Sequence, residues 1–250
     1  MHTAADGQAA RRLLEEGHRA FRLEADAALR EAPAQRPFAA IVGCSDARVP
    51  PELLFRRAPN ELFVIRVAGN ALGEDVLGSL DYAIHHLADS LRLVVVLGHS
   101  GCGAITAAVD VYLQPIHIED NIDSRSVRSL VHRLTLPVHA AAGALAKAFG
   151  PGVTSRRGYR NALIEIGVVT QAALAAYHLR GELAGSDVTG IDVAWGVYDL
   201  AHQRVGNPLL EISGGDDGVR LQAAPSAGAD FEPLRRALAE SSWVRDLLAE

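Results

Sequence analysis

Two cysteines, one histidine and an acid–guanidinium pair are the residues of this 250-residue chain with the clearest capacity for chemistry. Cys44 and Cys102 are its only cysteines, and each follows an apolar run. Cys44 lies in Gly43-Cys44-Ser45-Asp46-Ala47-Arg48, and Cys102 in Gly98-His99-Ser100-Gly101-Cys102-Gly103. Two thiolates and an imidazole form a donor set for Zn²⁺ that leaves a fourth position open, which is a catalytic pattern and not a closed structural one. Cys102 stands just before a helical pattern, whose positive end favours the thiolate. Gly98, Gly101 and Gly103 permit the tight backbone that lets His99 and Cys102 face one ion. Asp46 and Arg48 lie shortly beyond Cys44. A carboxylate beside a guanidinium stays ionised and acts only as an acceptor. It can orient a hydroxide held at the metal, or swing onto the metal as a fourth ligand. Taken singly, each signal has a plainer reading. A cysteine is commonly a small buried hydrophobe, and the acid–guanidinium pair is commonly a loop ion pair contributing about 0–1 kcal/mol. The two cysteines also suit a disulfide or redox pair. The combination in one chain is what favours a metal.

The segments around these residues must bring them together. Phe38 to Gly43, Glu61 to Val67, Leu91 to Leu97 and Ile191 to Tyr198 are short apolar runs that read as buried strands. Helical patterns fill Gly73–Ala88, Ala104–Leu113, Ser126–Leu136, Val138–Phe149, Asn161–Leu179 and Phe231–Leu248. Residues 149–159 and 214–230 read as loops. Strands separated by helices imply an α/β fold with a small central parallel sheet flanked by helices. In such a sheet the C-terminal strand ends share one edge, where sites gather. Cys44, His99 and Cys102 converge there if the first and third strands are neighbours. Residues 9–31 carry Leu13, Leu14, Gly17, His18 and Phe21 at helical spacing, ended by Pro33 and Pro37. We read them as an N-terminal helical arm, about 1–36, on a single domain spanning 1–250.

Composition narrows the function classes. Hydrophobic residues make up 49% and charged residues 22%, which excludes a disordered or collagenous chain. A net charge of -6 and only 5% aromatics argue against nucleic acid and against a membrane surface. The longest uncharged stretch, Leu93 to Val109, falls short of the ~20 apolar residues of a membrane span. The Arg- and Glu-rich start has no apolar core of a secretory signal, so a cytoplasmic protein is expected.

Several segments resemble the β-class carbonic anhydrases. They are Cys44-Ser45-Asp46-Ala47-Arg48-Val49-Pro50, Glu61-Leu62-Phe63-Val64-Ile65-Arg66-Val67-Ala68-Gly69-Asn70, Ser79-Leu80-Asp81-Tyr82-Ala83 and the His99–Cys102 loop, followed by Gly196-Val197-Tyr198-Asp199. The resemblance runs from about residue 13 to 205. It implies one zinc per chain on Cys44, His99 and Cys102, with Asp46 and Arg48 as the catalytic pair. It also implies substrate contacts from Gln35, Phe63, Gly69 and Tyr82, and assembly as homodimers or dimers of dimers. The implied reaction is reversible hydration of CO₂ to bicarbonate and a proton by zinc-bound hydroxide. Ala47 replaces the usual Ser, and Val67 a common Asn. A bicarbonate-inhibited subgroup has Trp where this chain has Ile41, although Arg66 and Tyr198 match its other positions, so that regulation is not expected. Three alternatives stay open: a CS₂ or COS hydrolase on the same fold, a non-catalytic zinc module closed by Asp46, and a metal-free redox switch.

Overall fold

Four β-branched or aliphatic runs become the parallel strands that carry the site. In this computed structural model, residues 6–24, 34–115, 124–185, 187–209 and 220–250 are described. They fall into two units, Met1–Gln35 and Arg36–Glu250. In the first, helix α1 (Gly7–Glu24) is capped by Asp6, whose carboxylate accepts the Ala9 N–H at 2.7 Å. Leu13, Leu14 and Phe21 are exposed on it. The rest of the expected helix, residues 25–31, lies outside the described residues, as does Pro33.

In the second unit the elements are β1 (Ala39–Gly43), the short α2 (Pro51–Leu54), β2 (Leu62–Arg66), α3 (Glu74–His86), β3 (Leu93–His99) and α4 (Gly103–Leu113). There follow α5 (Arg125–Arg133), α6 (Thr135–Phe149), α7 (Tyr159–Ala184), β4 (Asp192–Asp199), β5 (Arg204–Gly206), β6 (Gln222–Ala223), α8 (Phe231–Glu240) and α9 (Ser242–Ala249). The parallel part of the sheet has the order β2-β1-β3-β4, with Gly43 level with both Arg66 and Leu97, and His99 level with Tyr198. The first and third strands are therefore neighbours, which is the condition the ligand residues needed.

The expected central parallel sheet is present as β2-β1-β3-β4, and β5 and β6 are added to it antiparallel, both on β4. Strands of two and three residues are too short to show a period of two, so they left no pattern to read. β6 also lies inside the stretch 214–230 expected as loop, of which 214–219 lie outside the described residues. The last helix is two helices, since Ser241 adopts an extended backbone and its hydroxyl accepts the Val244 N–H at 3.3 Å, starting α9 afresh.

Alternation along β1 and β3 divides the core. Ala40, Val42, Val94 and Val96 face the larger cluster, built with α3, α4, α6 and α7. Ala39, Ile41, Val95 and Leu97 face a smaller one with Leu62, Leu54 and Phe55. Among the described residues α7 is long and apolar enough to cross a membrane, but 72% of its most apolar window is buried within the fold, as in a core helix. It packs on β3 and β4, close behind the ligand loop.

Candidate metal centre

β1 ends at Gly43 and β3 at His99, side by side and pointing the same way. Cys44, His99 and Cys102 are consequently delivered to one place. Their donor atoms lie within 4.8 Å of one another, and all three side chains are buried. The sulfurs are 4.0 Å apart, about twice a disulfide bond of ~2.05 Å. Two sulfurs each ~2.3 Å from a tetrahedral zinc sit roughly 3.8 Å apart, so the spacing suits a shared ion.

The imidazole is oriented for that role. His99 Nδ1 lies 3.0 Å from the Ser100 carbonyl oxygen, which only accepts, so Nδ1 carries the proton and Nε2 the lone pair. Nε2 is buried and has no hydrogen-bond partner among the described residues. An orphaned buried lone pair is costly unless something fills the place beside it. A cation between Nε2 and the two sulfurs would do so, and the donor set fits zinc.

The thiols show the same pressure. Cys44 is pulled down to about 4, first by its hydrogen bond with Cys102, against burial, and further by His99 and by the Asp46 and Gly69 N–H groups. Cys102 is pushed up by that same bond and by burial, so without an ion the pair holds one proton between them. Burial presses the His99 pKa down, but the Cys44 thiolate close beside the ring reverses this to a net rise. A divalent cation would replace the shared proton and keep both sulfurs ionised.

Asp46 stands at the edge of this group, and Arg48 holds it there. The Arg48 guanidinium donates to Asp46 Oδ1 at 2.9 Å and to Oδ2 at 2.7 Å, while its backbone N–H also donates to Oδ1 at 2.9 Å. These bonds, the side-chain ones first, hold the carboxyl well below the usual carboxylate range. Asp46 Oδ2 is 3.8 Å from His99 Nε2. Of the two expected arrangements, this is the one in which Asp46 pairs with Arg48 and not the one in which it joins the ligand group.

Arg66, noted in the sequence only as a subgroup match, clamps the same turn. Its guanidinium donates to the Cys44 carbonyl at 2.9 Å and to the Asp46 carbonyl at 2.6 Å. The signal for it was its place at the end of a strand, but register with Gly43 had to be known first. Gly69, expected at the substrate side, donates its N–H to Cys44 Sγ at 3.3 Å. It has φ of +65°, and a Cβ there would lie 2.8 Å from Leu134 Cδ1 and 3.0 Å from the Ala104 Cβ. Gly69→Ala should therefore cost roughly 1–3 kcal/mol in denaturant melts, from strain and overpacking together. An unchanged midpoint would show that Leu134 yields freely.

The other expected substrate contacts are placed differently. Phe63 and Tyr82 stack with ring centres 6.4 Å apart, and Tyr82 also lies 4.7 Å from the His86 ring. Tyr82 is half exposed on α3. Among the described residues, neither ring hydrogen-bonds to the ligand group. Gln35 is exposed and closes the first unit.

A family model described as carbonic anhydrase matches residues 39–174 of this chain, which takes in all three candidate ligands. The chain belongs to the carbonic anhydrase family. A carbonic anhydrase of Mycolicibacterium smegmatis is 41% identical over 102 residues, 41% of this chain and 46% of that protein. One of Pseudomonas aeruginosa is 47% identical over 79 residues, 29% of this chain and 35% of the relative. The chain thus spans less than half the length of these curated family members. In fold it resembles the Coccomyxa β-carbonic anhydrase solved with acetazolamide, at a TM-score of 0.61 and 20% identity over 92% of this chain and 97% of that one. The β-carbonic anhydrase CcaA gives 0.59 and 22% over 78% and 93%.

Proposed function

We propose that this chain is a zinc-dependent enzyme interconverting CO₂ and bicarbonate, with release of a proton. One observation carries the reading: an open three-donor group has beside it a carboxylate, Asp46, which is held ionised by Arg48 and kept off the ligand set. Family membership supports it, since relatives over part of the chain are carbonic anhydrases.

Cys44, His99 and Cys102 would hold zinc, which when bound would supply a Lewis-acidic centre that makes hydroxide available near neutral pH. Asp46, an acceptor only, takes a hydrogen bond from the attacking oxygen and turns its lone pair toward carbon. Arg48 keeps Asp46 anionic and fixes its direction, and Arg66 fixes the backbone from which both side chains spring. Phe63 and Tyr82 are the proposed apolar lining for CO₂, with Gly69 as a further contact. Assembly as homodimers or dimers of dimers belongs to the same proposal. A chain similar to this one in fold comes from a pair of Sordaria macrospora β-carbonic anhydrases described as tetrameric, which supports it.

Stopped-flow CO₂ hydration, on protein whose zinc content is measured in the same preparation, tests the proposal. Two thiolates offset the charge of the ion, so hydroxide should be available less readily than at an all-histidine centre. Turnover should then rise from pH 6.5 to 9. Asp46 cannot supply that limb: its carboxyl is held below the ordinary range, so it is already anionic throughout and loses its charge only in stronger acid. A flat profile across that window would contradict the thiolate-rich centre. Zinc-loaded protein without turnover at any pH would instead favour a structural site, or CS₂ and COS as substrates.

A further inference from the structure

We propose that Glu165 is the residue that positions the metal-ligand loop, acting through Gly101 without touching the ion. The inference rests on the metal-centre reading above. His99 and Cys102 face one point only because the two residues between them turn sharply, with Gly101 at φ +63°. Ser100 is tied to the end of β4 twice: its N–H donates to the Tyr198 carbonyl at 2.9 Å, and its hydroxyl accepts the Leu200 N–H at 2.9 Å. Gly101 is tied elsewhere, its N–H donating to Glu165 Oε1 at 2.9 Å.

The cost of that carboxylate argues that it has a task. Glu165 lies half-buried on α7, in a stretch whose other residues from Leu163 to Val168 are buried. Burial raises its pKa, nearby Asp199 raises it further, and the Gly101 N–H opposes both. An apolar side chain would avoid that penalty, so the bond to the loop is the gain that offsets it.

The neighbourhood of α7 supports the same role. At the other end of the loop, a Cβ on Gly98 would lie 3.3 Å from Val168 Cγ1 and 3.5 Å from the Ala172 Cβ, so helix and loop are already in close contact. Further along α7, buried Gln171 donates to the Asn70 carbonyl at 3.1 Å, securing the turn whose Gly69 N–H reaches Cys44. One helix thus sets both loops that bear on the donors, and Glu165 is its direct hold on the segment between two of them.

The test uses the full chain, loaded separately with Zn²⁺ and with Co²⁺. Zinc affinity is read by competition with a chelator, and ligand geometry by the cobalt d–d and thiolate charge-transfer absorption. Glu165→Gln keeps an oxygen that can accept from Gly101, so it should match the wild type in both readouts. Glu165→Leu removes the acceptor, and Glu165→Asp withdraws it while keeping the charge. Each should lower zinc affinity about 10–100-fold, as loss of a ligand-orienting partner does, and shift the cobalt bands. If the leucine variant fails to fold, the aspartate variant carries the same reading. Wild-type affinity and spectrum in Glu165→Asp would overturn the proposal. So would an equal loss in Glu165→Gln, which would make the charge, not the bond, responsible. Failure of the wild type itself to take up either metal would overturn the metal-centre reading instead.

Discussion

Replacing Cys102 with Ser, or His99 with Ala, should remove zinc and CO₂ hydration together. Both side chains are buried, and each supplies one of only three donor atoms in the group. Serine offers a hydroxyl that stays protonated where a thiolate is needed, and alanine offers nothing. Two remaining donors hold zinc weakly, so the loss should exceed the ~10–100-fold that follows removal of a partner outside the ligand set. Dialysis against a chelator should then leave the variants near zero zinc, while the wild type keeps about one per chain. Circular dichroism separates this from unfolding: Cys102 is one member of the larger core cluster, and the apolar residues that make up the rest of it are unchanged in both variants. Cys102→Ser that retained full zinc would remove Cys102 from the ligand set. Variants that lost zinc and kept their turnover would defeat the proposed chemistry while leaving the metal site intact.

How much of this was legible depended on how local each signal was. Leu91 to Leu97 reads as a buried strand, observed as Leu93–His99, because three consecutive valines leave little else to form, and the Gly-rich loop after it announces itself. The three candidate ligands were legible because the chain has just two cysteines, and both follow such strands. Strand order was not legible: the neighbourhood of β1 and β3 arises from crossovers, and the sequence supplied it only as a condition. β5 and β6 were invisible because strands of three and two residues are too short to show an alternation. The clamping role of Arg66 and the whole of Glu165 were missed for a related reason. Their hydrogen bonds reach across 20 and 64 positions to backbone groups of the ligand turns, and no spacing rule connects them. Asp46 was found at once, yet its two arrangements use the same residues, so the sequence left open whether it ligates or pairs with Arg48 as it does in this structure.

That separation leads to the second large effect: Asp46→Asn should keep zinc and lose most turnover. Zinc is retained because Asp46 lies outside the three-donor group and pairs with Arg48. Stability should barely change, since the pair has its guanidinium largely exposed and such pairs contribute about 0–1 kcal/mol. Turnover should fall by about 10²-fold or more, in the range for loss of a positioned proton-handling group. At about 1.36 kcal/mol per decade, ~10² is roughly 2.7 kcal/mol of barrier, well above any stability effect, so folding and chemistry are separable in one variant. The reason lies in which atoms face the reacting oxygen. Asp46 accepts only, and the Arg48 bonds keep it so across the assay range. Asparagine is nearly the same shape, but it can turn an N–H₂ toward the same place and then competes for the lone pair it should direct. It also meets Arg48 with one acceptor oxygen where the carboxylate has two, which loosens its orientation. Full turnover in this variant would leave Asp46 as a loop ion pair. Joint loss of zinc and turnover would instead mean that the carboxylate ligates in the working enzyme, and that pairing with Arg48 is the alternative state from which it is drawn.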